Sequence, residues 1–346
     1  MAYHTFQTII IPAIVVFAIT YVATKFLMGY LFGAGIIAED RNKEKPVKLA
    51  SSGGLGVSFG IIFGILTYIF GASFIFQAVI DINKLFAVAL SIILIALVGF
   101  IDDINVKRER VKSTDMMDIR EGLKQRQKPL LTLIGALPLM AINIHAGAIN
   151  IPFIGNVNFG IIYPLIIIPL AVIFVSNAVN ILGGFDGLQP GMILIASFGL
   201  MIYSILYGSY IGAFLSVLLF ASVLAFLPFN IFPAKIIPGD SFTYAVGAAF
   251  AAIAIMGNAE AFALIIFIPW IIEFFLHLRR KFKVTDLGIR QKDGTMKAPY
   301  GKKIYSLTHL IMNIKKAKET DVTIYLCAIE IFFVLLAFGL KFLGLL

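Results

Sequence analysis

Apolar runs long enough to cross a lipid bilayer recur along almost the whole chain, and they leave little sequence from which a soluble fold could be built. A membrane-crossing helix needs about 20 apolar residues. On that scale, with glycines and polar loops as boundaries, ten spans are expected near residues 6–30, 54–74, 84–101, 129–144, 160–181, 191–208, 211–230, 243–257, 259–277 and 322–345. The fourth and eighth are short, and the break Met256-Gly257-Asn258-Ala259-Glu260 is tight, so nine spans is the alternative. The first run is too long for a signal-peptide core and has no basic flank or small-residue cleavage site, so it reads as a retained span. Composition agrees, with 60% apolar and 14% charged residues in 346. The single cysteine, Cys327, excludes a disulfide within the chain. The expected fold is an all-α polytopic membrane protein, one integral-membrane unit over residues 1–346.

Charge orients it. Loops 31–53, 102–128, 231–242 and 278–321 hold four, eight, one and twelve of the 28 Lys and Arg residues, and the loops between them hold almost none. Basic residues collect on the cytoplasmic side. These loops, with 182–190, are therefore cytoplasmic, and both termini lie outside. The net charge of +9 has the same explanation and implies no nucleic acid.

Some loops have legible structure. Residues 150–159 alternate apolar and polar around Gly155-Asn156, a hairpin signal on the outer face. Residues 281–297 carry Asp293-Gly294 between short mixed segments, a second hairpin. Ile304, Leu307, Leu310, Ile311 and Ile314 recur at helical spacing among Lys303, Lys315, Lys316 and Lys318. That pattern predicts an amphipathic helix lying on the inner membrane surface.

The unusual polar residues fall at span ends on one face. Asp102-Asp103 ends the third span, Asn177, Asn180 and Asp186 follow the fifth, and Gly239-Asp240-Ser241 opens the eighth. Each alone has a plain structural reading, such as a helix cap at Asp240. Together on one face they point to a site, because polar groups near lipid are costly unless satisfied. Carboxylate and amide oxygens suit a hard cation such as Mg²⁺. Gly183, Gly184 and Gly187 let backbone approach a ligand. Lys43, Lys128, Arg279 and Arg280 offer phosphate contacts. A cation, basic side chains and a membrane-face site suggest phosphoryl transfer, in which charge on an attacked pyrophosphate must be neutralised. No nucleotide-binding loop of the G-x-x-x-x-G-K type is present, and His4, His145, His277 and His309 have no zinc spacing.

At these residues the chain resembles the polyprenyl-phosphate N-acetylhexosamine-1-phosphate transferases. Val-Gly-Phe-Ile-Asp102-Asp103, Asn177-Ala-Val-Asn180-Ile-Leu-Gly-Gly-Phe-Asp186-Gly-Leu and Gly239-Asp240-Ser-Phe-Thr-Tyr244 look like the family's three signature segments, in order. Asp40-x-Asn42-Lys43 and Lys128 before Pro129-Leu-Leu sharpen the likeness toward the UDP-GlcNAc:dolichyl-phosphate branch, which starts N-glycan assembly. The resemblance covers most of the chain. It implies attack of a polyprenyl (dolichyl) phosphate on the β-phosphate of UDP-GlcNAc, giving polyprenyl-diphospho-GlcNAc and UMP, with Mg²⁺ or Mn²⁺ bound. Carried over, Asn180 and Asp240 would hold the metal and Lys128 would contact phosphate. Asp186 would sit at the uridine, with Asp102 and Asp103 as the acidic pair at the lipid phosphate. Asn177 is counted with the substrate-binding residues, and its spacing alone lets it brace Asn180 one helical turn away. The absence of an Asn-x-Ser/Thr sequon and the Ile/Lys-rich composition lean toward a prokaryotic, archaeal plasma membrane, the charge pattern puts the active site on its cytoplasmic face, and membrane lipid and a second copy in a homodimer are the further partners expected.

The chain departs from the family in three places. The segment between Asp103 and Lys128 is longer and more charged than in the eukaryotic members, Ala50-Ser51-Ser52-Gly53-Gly54 stands where those enzymes have an acidic residue followed by Gln or Gly, and the Arg-His-Arg pattern of the last loop is missing. The nearest basic cluster there is His277-Leu-Arg279-Arg280-Lys281, assigned to pyrophosphate or sugar. The His-rich motif of the peptidoglycan branch is also missing. The alternatives are an undecaprenyl-phosphate transferase using another UDP-N-acetylhexosamine, and a secondary transporter, which would place its polar groups near mid-membrane.

Overall fold

The computed structural model describes residues 2–77, 80–104, 107–110, 117–121, 123, 127–142, 149–151, 155–207 and 209–346. Helix α1 (Ala2–Gly33) leads into a hairpin of β1 (Ile37–Asp40) and β2 (Val47–Ala50), then α2 (Gly54–Phe70) and α3 (Ile82–Ile104). Next come β3 (Lys107–Arg110), β4 (Met117–Glu121), α4 (Gln127–Ala141), β5 (Ile149–Ile151) and β6 (Gly155–Val157). Helices α5 (Ile168–Ile181), α6 (Leu188–Leu206), α7 (Tyr210–Asn230), α8 (Gly239–Met256), α9 (Glu260–Ile266) and α10 (Ile268–Leu278) follow. The chain finishes with β7 (Ile289–Arg290), β8 (Thr295–Lys297), α11 (Leu307–Ile314), β9 (Ala317–Lys318) and α12 (Glu319–Phe342).

Among the described residues, eight helices are long and apolar enough to cross a membrane, or nine if the bent pair α9–α10 is one span. The chain is an integral membrane protein. The ten spans expected from sequence differ by α4, whose 15 residues rise only about 22 Å against a hydrocarbon core of roughly 30 Å. Lys128 at its start meets Asp102 near the end of α3, and Thr132 meets Asn177 near the end of α5. Helix α4 thus runs antiparallel to both, which preserves the alternation that the charge pattern implied.

Helix α8 is the centre of the bundle. Its most apolar 18-residue stretch is 94% buried, against 22% for α1 and 28% for α12, which face lipid. Small residues make this possible: Ala245, Gly247, Ala248, Ala249, Ala251, Ala252 and Ala254 let neighbouring backbones close in. At the other extreme, Phe26, Leu130, Leu170 and Leu335 are exposed on outward faces, as lipid contact requires. The 58° bend between α9 and α10 falls beside Pro269, whose missing N–H removes a helical bond.

The loops hold three findings that differ from expectation. The outer hairpin pairs Ile149 with Val157 and Ile151 with Gly155. Gly155 and Asn156 therefore lie in a strand and not at the reversal; residues 152–154 and His145 lie outside the described residues. The Asp293-Gly294 hairpin forms as read, and β9 joins it as a third strand. Helix α11 forms, yet Leu307, Thr308, His309, Ile311 and Met312 are all buried. A helix burying Thr308 and His309 packs on protein, not simply on lipid headgroups. The hairpins β1–β2 and β3–β4 were not legible, since their strands are mixed and highly charged.

Candidate active site

Everything at the site is arranged around the first turn of α8. Gly239 has φ +73°, and a Cβ there would lie 2.4 Å from Asp103 Oδ2, so only glycine allows this entry. The helix is capped from another span. Asp103 accepts from the backbone N–H of Asp240 at 2.8 Å and of Ser241 at 3.2 Å. Its second oxygen also takes the Ser52 hydroxyl at 2.7 Å. A carboxylate at a helix N-terminus satisfies orphan donors and complements the dipole. Ser52, from the Ala50–Gly54 segment, is thus part of this cap.

Asp102 is on the same turn of α3 but faces Lys128. Their ion pair is 2.5 Å, and the Leu123 N–H donates to the other Asp102 oxygen at 2.5 Å. Lys128 also reaches Asp240 Oδ2 at 3.3 Å, and the Asn180 amide donates to the same oxygen at 3.2 Å. Four sequence-distant residues of the predicted set therefore meet. Asn177 does not brace Asn180. Its amide donates to Thr132 at 3.2 Å and to the Ile173 carbonyl at 2.8 Å, tying α5 to α4.

The donor set fits a divalent cation. The Asp240 side chain is 26% exposed, against 3% for Asp102. Both oxygens of Asp103 are committed to the cap. Asp240, with the Asn180 amide beside it, is the carboxylate open to the cavity. One carboxylate with an amide side chain beside it, bordering a cavity with room for phosphate and water, suits a hard divalent cation.

Two cavities meet here. The larger, about 680 Å³, has Asp102, Lys128, Asn180 and Asp240 at one end and Leu170, Ile173, Phe174 and Phe274 along its wall. Leu170 in this wall is 60% exposed on an outward face of α5, so the apolar end of the cavity reaches the lipid-facing surface. The smaller, about 300 Å³, is formed by Gly183, Gly184, Asp186, Gln189 and Asp40 among others. Asn180, Asp240, Val284 and Asp286 line both.

Lys43 and Asp186 come together in a network beside the smaller cavity. Lys43 bonds Asp186 at 2.7 Å, Glu319 at 2.8 Å and Asp40 at 2.9 Å. Burial would lower the Lys43 pKa, but the hydrogen bonds it donates to Asp186, Glu319 and Asp40 hold it above the usual lysine value. Burial pushes the Asp186 carboxyl up, against hydrogen bonds from Lys43 and the Ala234 N–H. Asn42 donates to the Gly184 carbonyl at 2.6 Å and fixes the glycine turn. With Lys43 among them, the three carboxylates hold an ammonium. Lys43→Gln is expected to destabilise the protein by about 2 kcal/mol, because carboxylates would be left buried without their partner. Thermal melting in detergent checks this, with Lys43→Arg as the milder control.

Arg279 and Arg280 are not brought to either cavity. Arg279 donates to the Ile304 carbonyl at 3.3 Å, and Arg280 lies over Tyr300 and Tyr305. Sequence reasoning missed Glu319, Ser52, Glu273 and Asp286. Glu273 had a signal, a lone carboxylate in an apolar run four residues before His277. Glu319 had none, being one more charge in a charged loop end.

Comparisons with known proteins show which family the chain resembles. The chain is 32% identical over 331 residues, 95% of each chain, to a Saccharolobus solfataricus protein named for UDP-N-acetylglucosamine–dolichyl-phosphate N-acetylglucosaminephosphotransferase activity. A Sulfolobus acidocaldarius protein of the same name is 30% identical over 95% of each chain. A phospho-N-acetylmuramoyl-pentapeptide-transferase of Clostridium perfringens is 36% identical, but over 51% of this chain and 54% of its own. Residues 85–258, which carry Asp102, Asp103, Lys128, Asn180 and Asp240, match a family pattern. The chain belongs to glycosyl transferase family 4.

Proposed function

We propose that the chain, acting as one catalytic unit, transfers GlcNAc-1-phosphate from UDP-GlcNAc to a dolichyl-type polyprenyl phosphate. The products are polyprenyl-diphospho-GlcNAc and UMP, the first lipid-linked intermediate of N-glycan assembly. The observation that carries this reading is the shared boundary of the two cavities. A lipid-open apolar cavity and a polar, glycine-lined one meet at Asn180 and Asp240. That is what a reaction between a lipid phosphate and a water-soluble nucleotide sugar requires. The names of the archaeal relatives support both substrates.

In the transfer, a phosphate oxygen of the lipid attacks the β-phosphorus. The bond from that phosphorus to the oxygen bridging the two phosphates breaks, and UMP leaves with the electron pair. A divalent cation, Mg²⁺ or Mn²⁺, held by Asn180 and Asp240 would neutralise charge on the pyrophosphate. Lys128, oriented by Asp102, would hold phosphate oxygens at the meeting point of the cavities. Asp103 keeps the first turn of α8, and so Asp240, in place. A general base is not demanded, since a phosphate monoester loses its second proton near pH 6. Positioning by Asp102 and Lys128 suffices. The Lys43–Asp186 pair and the glycine turn would receive the uridine. Asn177 would set the cavity wall by joining α4 to α5.

The basic loops support a cytoplasmic site in a prokaryotic plasma membrane. Purified protein given polyprenyl phosphate, Mg²⁺ and a panel of UDP-sugars tests the donor assignment by mass spectrometry of the lipid product. UDP-GlcNAc is expected to be used best. Preference for another UDP-N-acetylhexosamine would overturn it.

A further inference from the structure

Three metal-binding side chains meet at the end of α10, apart from the Asn180–Asp240 pair. Glu273 Oε1 and Asp286 Oδ1 each lie 2.9 Å from His277 Nε2. One donor atom from each of the three lies within 4.8 Å of the others. A single Nε2 hydrogen cannot point at two carboxylates. Hydrogen-bond geometry exists toward Asp286, while Glu273 Oε1, on a side chain with 0% exposure, has no hydrogen-bond partner. Leaving a buried carboxylate oxygen unsatisfied is unfavourable, and a cation at the centre of the three would satisfy it.

The surroundings brace the cluster as a metal site is braced. The Leu307 N–H donates to Glu273 Oε2 at 2.7 Å, and the Thr308 hydroxyl donates to the Asp286 carbonyl at 2.8 Å. The cluster also has access, since His277 and Asp286 line the large cavity.

We propose that Glu273, His277 and Asp286 form a second divalent-cation site, built for a transition ion such as Zn²⁺ rather than Mg²⁺. Imidazole nitrogen with carboxylate oxygens is a donor set for Zn²⁺ and its neighbours, whereas Mg²⁺ favours oxygen alone. The ion takes the lone pair of neutral His277, so binding releases any proton held there. It pins the end of α10 to the loop that carries Asp286. The site is independent of which lipid or sugar is used, and its test reads no activity.

The test uses intact, tag-free protein in detergent, stripped with chelator and dialysed against Zn²⁺ in excess Mg²⁺. Wild type and Asp240→Ala are each expected to retain one equivalent of Zn²⁺ by elemental analysis. X-ray absorption should show one imidazole nitrogen at about 2.0–2.1 Å. Asp286→Asn, which keeps the side-chain shape, and His277→Gln should each lower Zn²⁺ affinity at least tenfold. Thermal melting of Asp286→Asn confirms that the fold is intact. The proposal is overturned if wild type retains no Zn²⁺, or if Asp240→Ala loses it. It is equally overturned if a folded Asp286→Asn binds as wild type does, or if no nitrogen scatterer appears.

Discussion

Asp240→Ala is expected to reduce UMP release by on the order of 10³-fold while leaving the protein folded. Two features make the separation clean. Asp240 carries the carboxylate most open to the cavity, with Lys128 at 3.3 Å and Asn180 at 3.2 Å on one oxygen. Its structural contribution, by contrast, is its backbone N–H, which bonds Asp103 at 2.8 Å and survives in alanine. Asp103→Ala should behave differently. It removes the acceptor for two backbone donors and for Ser52, so melting temperature and activity should fall together. Both variants are read by melting in detergent beside a UMP-release assay. Equal stability loss in the two would remove the distinction between a reacting-site carboxylate and a positioning one.

Gly54→Ala is expected to prevent correct assembly, at a cost of about 3 kcal/mol or more. A Cβ at Gly54 would lie 2.0 Å from the Phe242 backbone nitrogen and 2.1 Å from its Cα. The obstacle is main chain of α8, not a side-chain tip that could rotate away. On the opposite side, a Cβ at Gly99 would lie 2.4 Å from the Asp240 carbonyl oxygen. The first turn of α8 is therefore held between α2 and α3 at backbone contact. Even a partly folded Gly54→Ala protein should have lost activity, since any shift of α8 moves Asp240. Size-exclusion profile and melting temperature check the fold. Wild-type stability would mean that the helices are less closely packed than described.

How much of this was legible in the residues depends on the kind of signal each left. The spans were, because apolar length acts locally. Asp102, Asp103, Asn180 and Asp240 were, because polar groups at span ends stand out against lipid. Lys128 was legible through its position before a span. The count of ten was complicated by α4, where residues 143–148 lie outside the described part and the 15-residue helix is too short by length alone. The division of labour between Asp102 and Asp103 was not legible: adjacent on one helix, they face Lys128 and the α8 cap respectively. Arg279 and Arg280 looked like phosphate ligands, yet they sit on tyrosines. A surface charge in sequence carries no sign of its direction. Glu319 and Asp286, which do reach the site, lie in loops whose charges outnumber any pattern.

The proposed transfer breaks a phosphorus–oxygen bond of UDP-GlcNAc, not the bond to the sugar. Donor labelled with ³²P in its β-phosphate, given to purified protein with polyprenyl phosphate and Mg²⁺, reads this directly. Label is expected in the lipid fraction, with release of unlabelled UMP in equal amount. Label remaining in released UDP, with GlcNAc on the lipid, would contradict it.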